Sequence, residues 1–357
     1  MKGKKREMAT KTGILCLLCF FVLFFTACKS MQEADGSSGQ KEEDKKIEIA
    51  MIFDNFIMER WQRDKDVFVS TASELGAEVN VQNANSSVQE QVDLLEYFIE
   101  KQVDVIVIIP IESEPLLPGI RKARQEGIRI ISYDRLVIGA QSDLYVSFDN
   151  RAVGRLMGEA MAENLEKQDK VVMICGPKTD PNVEDVEVGF REVMEQKELE
   201  VVEVYYAPEW KGEYAARYIR EEEELMQTVK GVMCGNDNLA GQAIAALAEQ
   251  QLAGEVCVVA QDADLAACQR IVEGTQTMTV YKSVEKLAVQ AAKAAVALAL
   301  DEPVETEAVY EDGTGRKTPY ICLEPIGVTF ANMEEVIIQE GFHLREDVYL
   351  NRPDLLK

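Results

Sequence analysis

The stretch 256-VCVVAQDADLAACQRIVEGTQTMTVYK-282 decides the fold. An apolar strand leads into the polar burst Gln261-Asp262-Ala263-Asp264, then a helix closed by Gly274, then a second strand ending on Tyr281-Lys282. Strand, helix and strand in that order make a crossover unit of a parallel sheet, and such crossovers are right-handed. A carboxylate and an ammonium at the exits of successive strands put a polar site beside a buried sheet. Asp262 and Lys282 then either do chemistry or hold something.

Outward from this unit, the same alternation fills the chain from Ile47. Ile47–Asp54, Glu78–Ala84, Val103–Pro110, Arg129–Asp134 and Leu144–Asp149 read as strands. Val103–Pro110 (VDVIVIIP) is almost wholly apolar, as in a strand covered on both faces. Helical spacing of Trp61, Phe68, Ala72 and Leu75 marks the first connecting helix, and Ser87-Val88-Gln89-Glu90 has the capping-box pattern that opens the second. Near Asn150 the pattern starts again. Strands at Val171–Cys175, Val201–Tyr206 and Gly231–Cys234 precede the opening unit, and an alanine-rich helix over Leu287–Leu300 follows it.

Two sets of about five strands imply two similar Rossmann-like α/β lobes with parallel sheets, not one very wide sheet. The expected division is 47–149 plus 283–318 for the first lobe, 150–282 plus 319–345 for the second, and 346–357 as a tail. No linker rich in Gly, Pro or Ser separates the sets, so short extended crossings join closely packed lobes. The ligand cleft then lies between the carboxyl ends of the two sheets, where open α/β sheets bind ligands.

The first residues do not belong to this fold. Lys2, Lys4, Lys5, Arg6 and Lys11 precede the apolar run Ile14–Phe25, and Thr26-Ala27-Cys28 follow. That is a basic region, a hydrophobic region and small residues before a cleavage point. The run is short for a membrane span. A cysteine directly after the small residues resembles a lipoprotein signal, although Phe25 stands where that motif usually has leucine. Residues 1–28 are therefore expected to be a signal ending in an acylated Cys28 that anchors the chain to the extracytoplasmic face of the cell membrane. Residues 29–46, without apolar periodicity, read as a flexible tether.

Removing residues 1–27, with five basic residues and one acidic, takes the net charge from −25 to −29. Such a charge argues against nucleic acid and anionic headgroups as partners. Of the eight cysteines, Cys16 and Cys19 lie in the signal and Cys28 ends it. Cys175, Cys234, Cys257, Cys268 and Cys322 lack the close spacing of a disulfide framework, though one bridge among them stays open. Outside the signal no CxxC occurs and His343 is the only histidine, so no metal or other cofactor is expected.

Each strand exit carries polar residues: Asp54-Asn55 with Arg60-Trp61 nearby, Asn83 and Asn85, Asp134-Arg135, Asp149-Asn150, Asp180 and Asn182, Asn236-Asp237, Asp262 and Lys282. Any one of them can be a plain N-cap, and Asp54, Asp149 and Asn238 are read that way. The set as a whole converges on one cleft. Trp61 and Trp210, the only tryptophans, sit in polar neighbourhoods where a core tryptophan would have apolar ones. Aromatic faces suit the C–H faces of a sugar ring, while Asp, Asn, Arg and Lys bond its hydroxyls. Helix packing for Trp61 and loop cover for Trp210 are the plainer alternatives.

From about Ile47 to His343 the chain resembles the sugar-binding proteins of ABC importers, the type I periplasmic binding proteins of the ribose- and galactose-binding class. The resemblance is strongest to those that take D-xylose. It is carried by ERWQRD (Glu59–Asp64), VDVIVIIP, ISYDR (Ile131–Arg135), YVSFDN (Tyr145–Asn150), GNDNLAGQAIAAL (Gly235–Leu247), QDADLAACQRI and GTQTMTVYK. It implies a monosaccharide held at Arg60, Trp61, Asp134, Arg135, Asn182, Trp210, Asn236, Asp262 and Lys282, with Asn182 in the loosest-matching loop. It further implies capture by lobe closure and delivery by a monomer to ABC permease subunits.

An enzymatic reading would make Asp262 and Lys282, or Asp134 and Arg135, an acid–base pair. A carboxylate beside a permanent cation has a lowered pKa and is a poor general acid, and GxSxG, HExxH and GxxxxGK[ST] are all absent. A sugar sensor that docks on a receptor or histidine kinase is the alternative from a different class. Arabinose, glucose and galactose stay open beside xylose, because pocket shape decides one hydroxymethyl group.

Overall fold

The computed structural model describes residues 46–306 and 308–356, so the expected signal, Cys28 and nearly all of the tether lie outside the described residues. Among the described residues the strands form two sheets. The first is built on β1 (Ile47–Phe53), β2 (Ala77–Asn83), β3 (Val105–Ile108), β4 (Arg129–Tyr133) and β5 (Leu144–Phe148), parallel in the order β2-β1-β3-β4-β5. The second holds β6 (Lys170–Cys175), β7 (Glu200–Tyr206), β8 (Val229–Cys234), β9 (Cys257–Gln261) and β10 (Met278–Tyr281), parallel in the order β7-β6-β8-β9-β10.

The apolar runs explain this arrangement. On β1, Ile49, Met51 and Phe53 join the apolar cluster on one face of the sheet, and Ala50 and Ile52 join the cluster on the other. A strand buried on both sides needs no polar alternation. Helix Arg60–Glu74 turns Trp61, Phe68 and Ala72 inward. It packs beside helix Val284–Ala299, whose buried Ala288, Ala291, Ala292 and Ala295 allow close approach. The helix that follows the opening unit thus returns the chain to the first lobe.

The remaining strands correct the expected division. β12 (Lys317–Leu323) lies parallel to β5, with Tyr320 opposite Tyr145 and Leu323 opposite Phe148, and β11 (Ala308–Glu311) pairs antiparallel to it. A boundary at 318/319 would cut β12. The chain leaves the first sheet after Leu323 and enters the second at β13 (Ile326–Val328), antiparallel to β10. Side chains fix this choice: Tyr320 stacks on Tyr145 with centroids 4.7 Å apart, and its hydroxyl donates to the Phe148 carbonyl at 2.7 Å. The expected tail also packs, with Val348 and Tyr349 buried against Ile271, Val272 and Phe342 of the second lobe.

The lobes are joined at Asp149–Asn150, Lys282–Ser283 and Leu323–Ile326. Two of these crossings touch, since the Asp149 N–H donates to the Leu323 carbonyl at 3.0 Å. The five cysteines among the described residues are free thiols. Burial pushes the Cys175 thiol up to about 12, so it stays protonated and inert.

Candidate ligand-binding site

The exits of β4, β6, β8, β9 and β10 meet in a space between the lobes, where open α/β sheets bind ligands. Met58, Arg60, Asp134 and Arg135 line it from the first lobe. Gly176, Asp180, Asn182, Trp210, Asn236, Gln261 and Asp262 line it from the second, with Asn150 and Lys282 at the crossings.

Asp134 is the most constrained of these residues. It leaves β4 with φ 60°, and its N–H donates to the Val146 carbonyl at 2.8 Å. Its own carbonyl accepts from Ser147 Oγ at 2.6 Å, Asn182 Nδ2 at 3.0 Å and Tyr145 Oη at 3.2 Å. The carboxylate pairs with Arg60 Nη1 at 2.8 Å. Burial works to raise its pKa, but Arg60, Lys282 and Arg135 together outweigh burial and hold the carboxyl below the usual range. It therefore stays ionised and is unsuited to general-acid work.

Arg60 is held from behind. Its Nε lies 3.2 Å from Asp64 Oδ2, and the Tyr133 hydroxyl donates to the same carboxylate. Arg135 is clamped between the lobes: Nη1 lies 2.6 Å from Asp54 Oδ2 of the first and Nε 2.6 Å from Asp180 Oδ2 of the second. Burial pushes the carboxyls of Asp54 and Asp180 up, against the pull of Arg135. Lys282 Nζ pairs with Asp262 Oδ1 at 2.8 Å.

Eight of the nine expected residues line this space; Trp61 does not. Its indole is fully buried, edge-on to Phe53 at 6.0 Å, with the guanidinium carbons of Arg60 and Arg135 4.5 and 5.7 Å from its ring centroid. Its ring thus packs against both cations. Trp210 does line it, on a loop where Glu209 and Trp210 have φ 53° and 58°. Asn236 combines two tasks, lining the space and capping helix Asp237–Glu249 through a bond from the Leu239 N–H at 2.9 Å.

Asp149 caps its helix as expected, accepting from the Ala152 N–H at 2.8 Å. Asp54 and Asn238 do not fit that reading. Asp54 anchors Arg135, and Asn238 Nδ2 donates to the Trp210 carbonyl at 3.1 Å. Met58, Asn150, Asp180 and Gln261 line the space as well, beyond the nine residues the resemblance implies. Asn150 and Asp180 were visible as polar strand exits and Gln261 as the head of the polar burst. Met58 gives no signal, because it reaches the space from an irregular loop and packs against the apolar clusters of both lobes.

Trp210 Nε1 and Gln261 Oε1 are buried without a hydrogen-bond partner among the described residues. A spare donor and a spare acceptor beside paired charges fit a neutral, polyhydroxylated ligand.

The family model for the periplasmic binding protein domain matches residues 49–303. The chain belongs to the periplasmic binding protein family. This binding protein is 38% identical, over 310 residues, to the D-xylose-binding periplasmic protein of Haemophilus influenzae, covering 85% of this chain and 93% of the relative. It is 34% identical over 331 residues to the D-xylose-binding periplasmic protein of Escherichia coli, covering 91% and 98%. Among solved structures, an ABC transporter solute-binding protein from Clostridium phytofermentans with bound β-D-glucose superposes with a TM-score of 0.75. It is 24% identical and covers 84% of this chain and 99% of its own, a likeness of fold. Both sheets of the binding protein, and the space between them, thus belong to the type I architecture.

Proposed function

We propose that this binding protein captures a neutral monosaccharide, D-xylose first among the candidates, outside the cytoplasm and hands it unchanged to an ABC permease. The observation that carries the reading is the charge balance of the space between the lobes. Arg60, Arg135 and Lys282 are lined up with Asp134, Asp180 and Asp262, and each cation is already paired. A phosphorylated or carboxylated ligand would meet these carboxylates without an unpaired cation among the described lining residues. A sugar instead accepts from the cations, donates to the carboxylates and lays its C–H face on Trp210.

The magnitudes agree. Hydrogen bonds involving charged groups contribute about 1.5–3 kcal/mol each, and micromolar affinity needs about −8 kcal/mol in all. Several such bonds are enough after ordering costs, and no covalent step is required. The two D-xylose-binding relatives support xylose over other aldoses. The signal-like N-terminus supports anchoring through an acylated Cys28, which intact mass measurement of the membrane-derived chain tests directly.

A thermal-shift screen followed by calorimetry across aldopentoses and aldohexoses is the deciding experiment. D-xylose should give the largest stabilisation. Stabilisation by a nucleoside or a peptide and by no monosaccharide would refute the ligand class.

A further inference from the structure

β6 and β8 are neighbours, with Ile174 paired to Cys234, so Gly176 and Gly235 follow their strands side by side. The indole of Trp210 comes down on both. A Cβ on Gly176 would stand 2.2 Å from Trp210 Cζ2 and 2.4 Å from both Cε2 and Cη2, its three nearest heavy atoms. A Cβ on Gly235 would stand 2.9 Å from Trp210 Cζ3 and 3.0 Å from the backbone nitrogen of Gly176. Neither glycine has a positive φ. Neither is placed there for a left-handed turn, and what they supply is the missing Cβ. The indole cannot keep its place over an alanine at 176, because carbon atoms pack no closer than about 3.5 Å without repulsion.

We propose that Gly176 and Gly235 are positioning residues of the ligand site. By leaving their Cβ positions empty they let Trp210 lie flush on the strand ends, and so set the depth of the space and the size of ring it accepts. This rests on the reading of the space as a monosaccharide site. Asn238 completes the seat by holding the Trp210 carbonyl at 3.1 Å. A ring displaced from the glycines changes the shape of the space that Trp210 lines together with Asn236 and Asp262.

The test is a double-mutant cycle of Gly176→Ala and Trp210→Ala, read by calorimetry with D-xylose and by thermal denaturation. Gly176→Ala alone should weaken binding at least tenfold and lower the Tm. In the Trp210→Ala background the same alanine should change neither affinity nor Tm, because the atoms it strikes are gone. The proposal is overturned if Gly176→Ala binds xylose as the wild type does, or if it costs the same with and without the indole. A wild-type chain that binds no monosaccharide refutes the sugar reading instead, and the thermal arm of the cycle still decides whether the glycines seat the ring.

Discussion

Asp134 and Asp262 occupy equivalent places in the two lobes. Each follows its strand directly, β4 or β9, with a positive φ of 60° or 104°. Each donates its N–H to the neighbouring strand, to the carbonyl of Val146 at 2.8 Å or of Val280 at 2.9 Å. Each carboxylate pairs with a cation at 2.8 Å, Arg60 for one and Lys282 for the other. The two lobes therefore present the same acid, in the same backbone setting, to opposite sides of one space.

That setting separates two substitutions at Asp134. Asparagine tolerates the left-handed region, whereas alanine there costs about 1–2 kcal/mol. Both remove the charge that faces Arg60. Asp134→Asn and Asp134→Ala should each weaken sugar binding by roughly 10- to 100-fold, the equivalent of one charged hydrogen bond. Alanine should in addition lower folding stability relative to asparagine by that backbone cost. Calorimetry and denaturant unfolding measure the two effects separately, and equal stability of the variants would remove the backbone argument.

Lys282→Ala and Asp262→Ala should both reduce affinity at least as severely, and they should also destabilise the fold. The pair is nearly buried, with side-chain exposures of 7% and 4%. Taking away one partner leaves the other charge uncompensated, a loss of about 3–5 kcal/mol. Joint replacement by Met and Leu should recover stability and leave binding lost. Thermal denaturation of the three variants checks this, and a double variant no more stable than the singles would count against it.

How much of this was legible follows from what each residue depends on. Strands such as Val103–Pro110 declare themselves because burial on both faces demands an apolar run, and the exits after Tyr133 and Gln261 follow from the strands. The place of β12, between β11 and β5, is not legible in the sequence because it depends on Tyr320 stacking on Tyr145, a contact 175 positions apart in the chain. Asp54 looked like a cap because the sequence cannot show that Arg135 reaches it at 2.6 Å. Trp61 looked available to a ligand because its neighbours in sequence are polar, while its neighbours in space are Phe53 and two guanidiniums.

A pH dependence follows from the second lobe. Burial pushes the carboxyls of Asp237 and Asp264 up; Asp237, Asp262 and Glu59 raise Asp264 further, and Arg270 opposes both. Asp237 also accepts from Thr279 at 2.7 Å and Gln276 at 2.8 Å, which pull it down. With folded pKa values above the unfolded value of 3.8, the native state holds protons that the unfolded chain has released. Stability is then highest at the acid side of this window and falls as pH rises through the folded values. The wild type should unfold at a higher temperature at pH 5.5 than at pH 8.5. Asp264→Asn should shrink the stability difference between these two pH values by about 1–3 kcal/mol, and an unchanged difference would exclude Asp264 as its source.

A last test concerns lobe closure away from the ligand. Tyr310, on β11 of the first sheet, donates to Asp185 Oδ2 of helix Pro181–Lys197 at 2.9 Å. Its ring lies edge-on to Tyr145, centroids 5.3 Å apart, and the Tyr145 hydroxyl oxygen in turn lies 3.2 Å from Asn182 Oδ1. The Tyr310 bond spans the lobes, and Tyr310 does not line the space, so it holds the two lobes together whatever sugar is bound. A single such bond contributes about 0.5–1.5 kcal/mol. Tyr310→Phe should therefore weaken every sugar that binds by the same factor, roughly 2- to 12-fold, and leave their order unchanged. Calorimetry with two aldopentoses and one aldohexose separates the cases. A changed ratio between sugars would mean that Tyr310 acts on the ligand itself and not on the distance between the lobes.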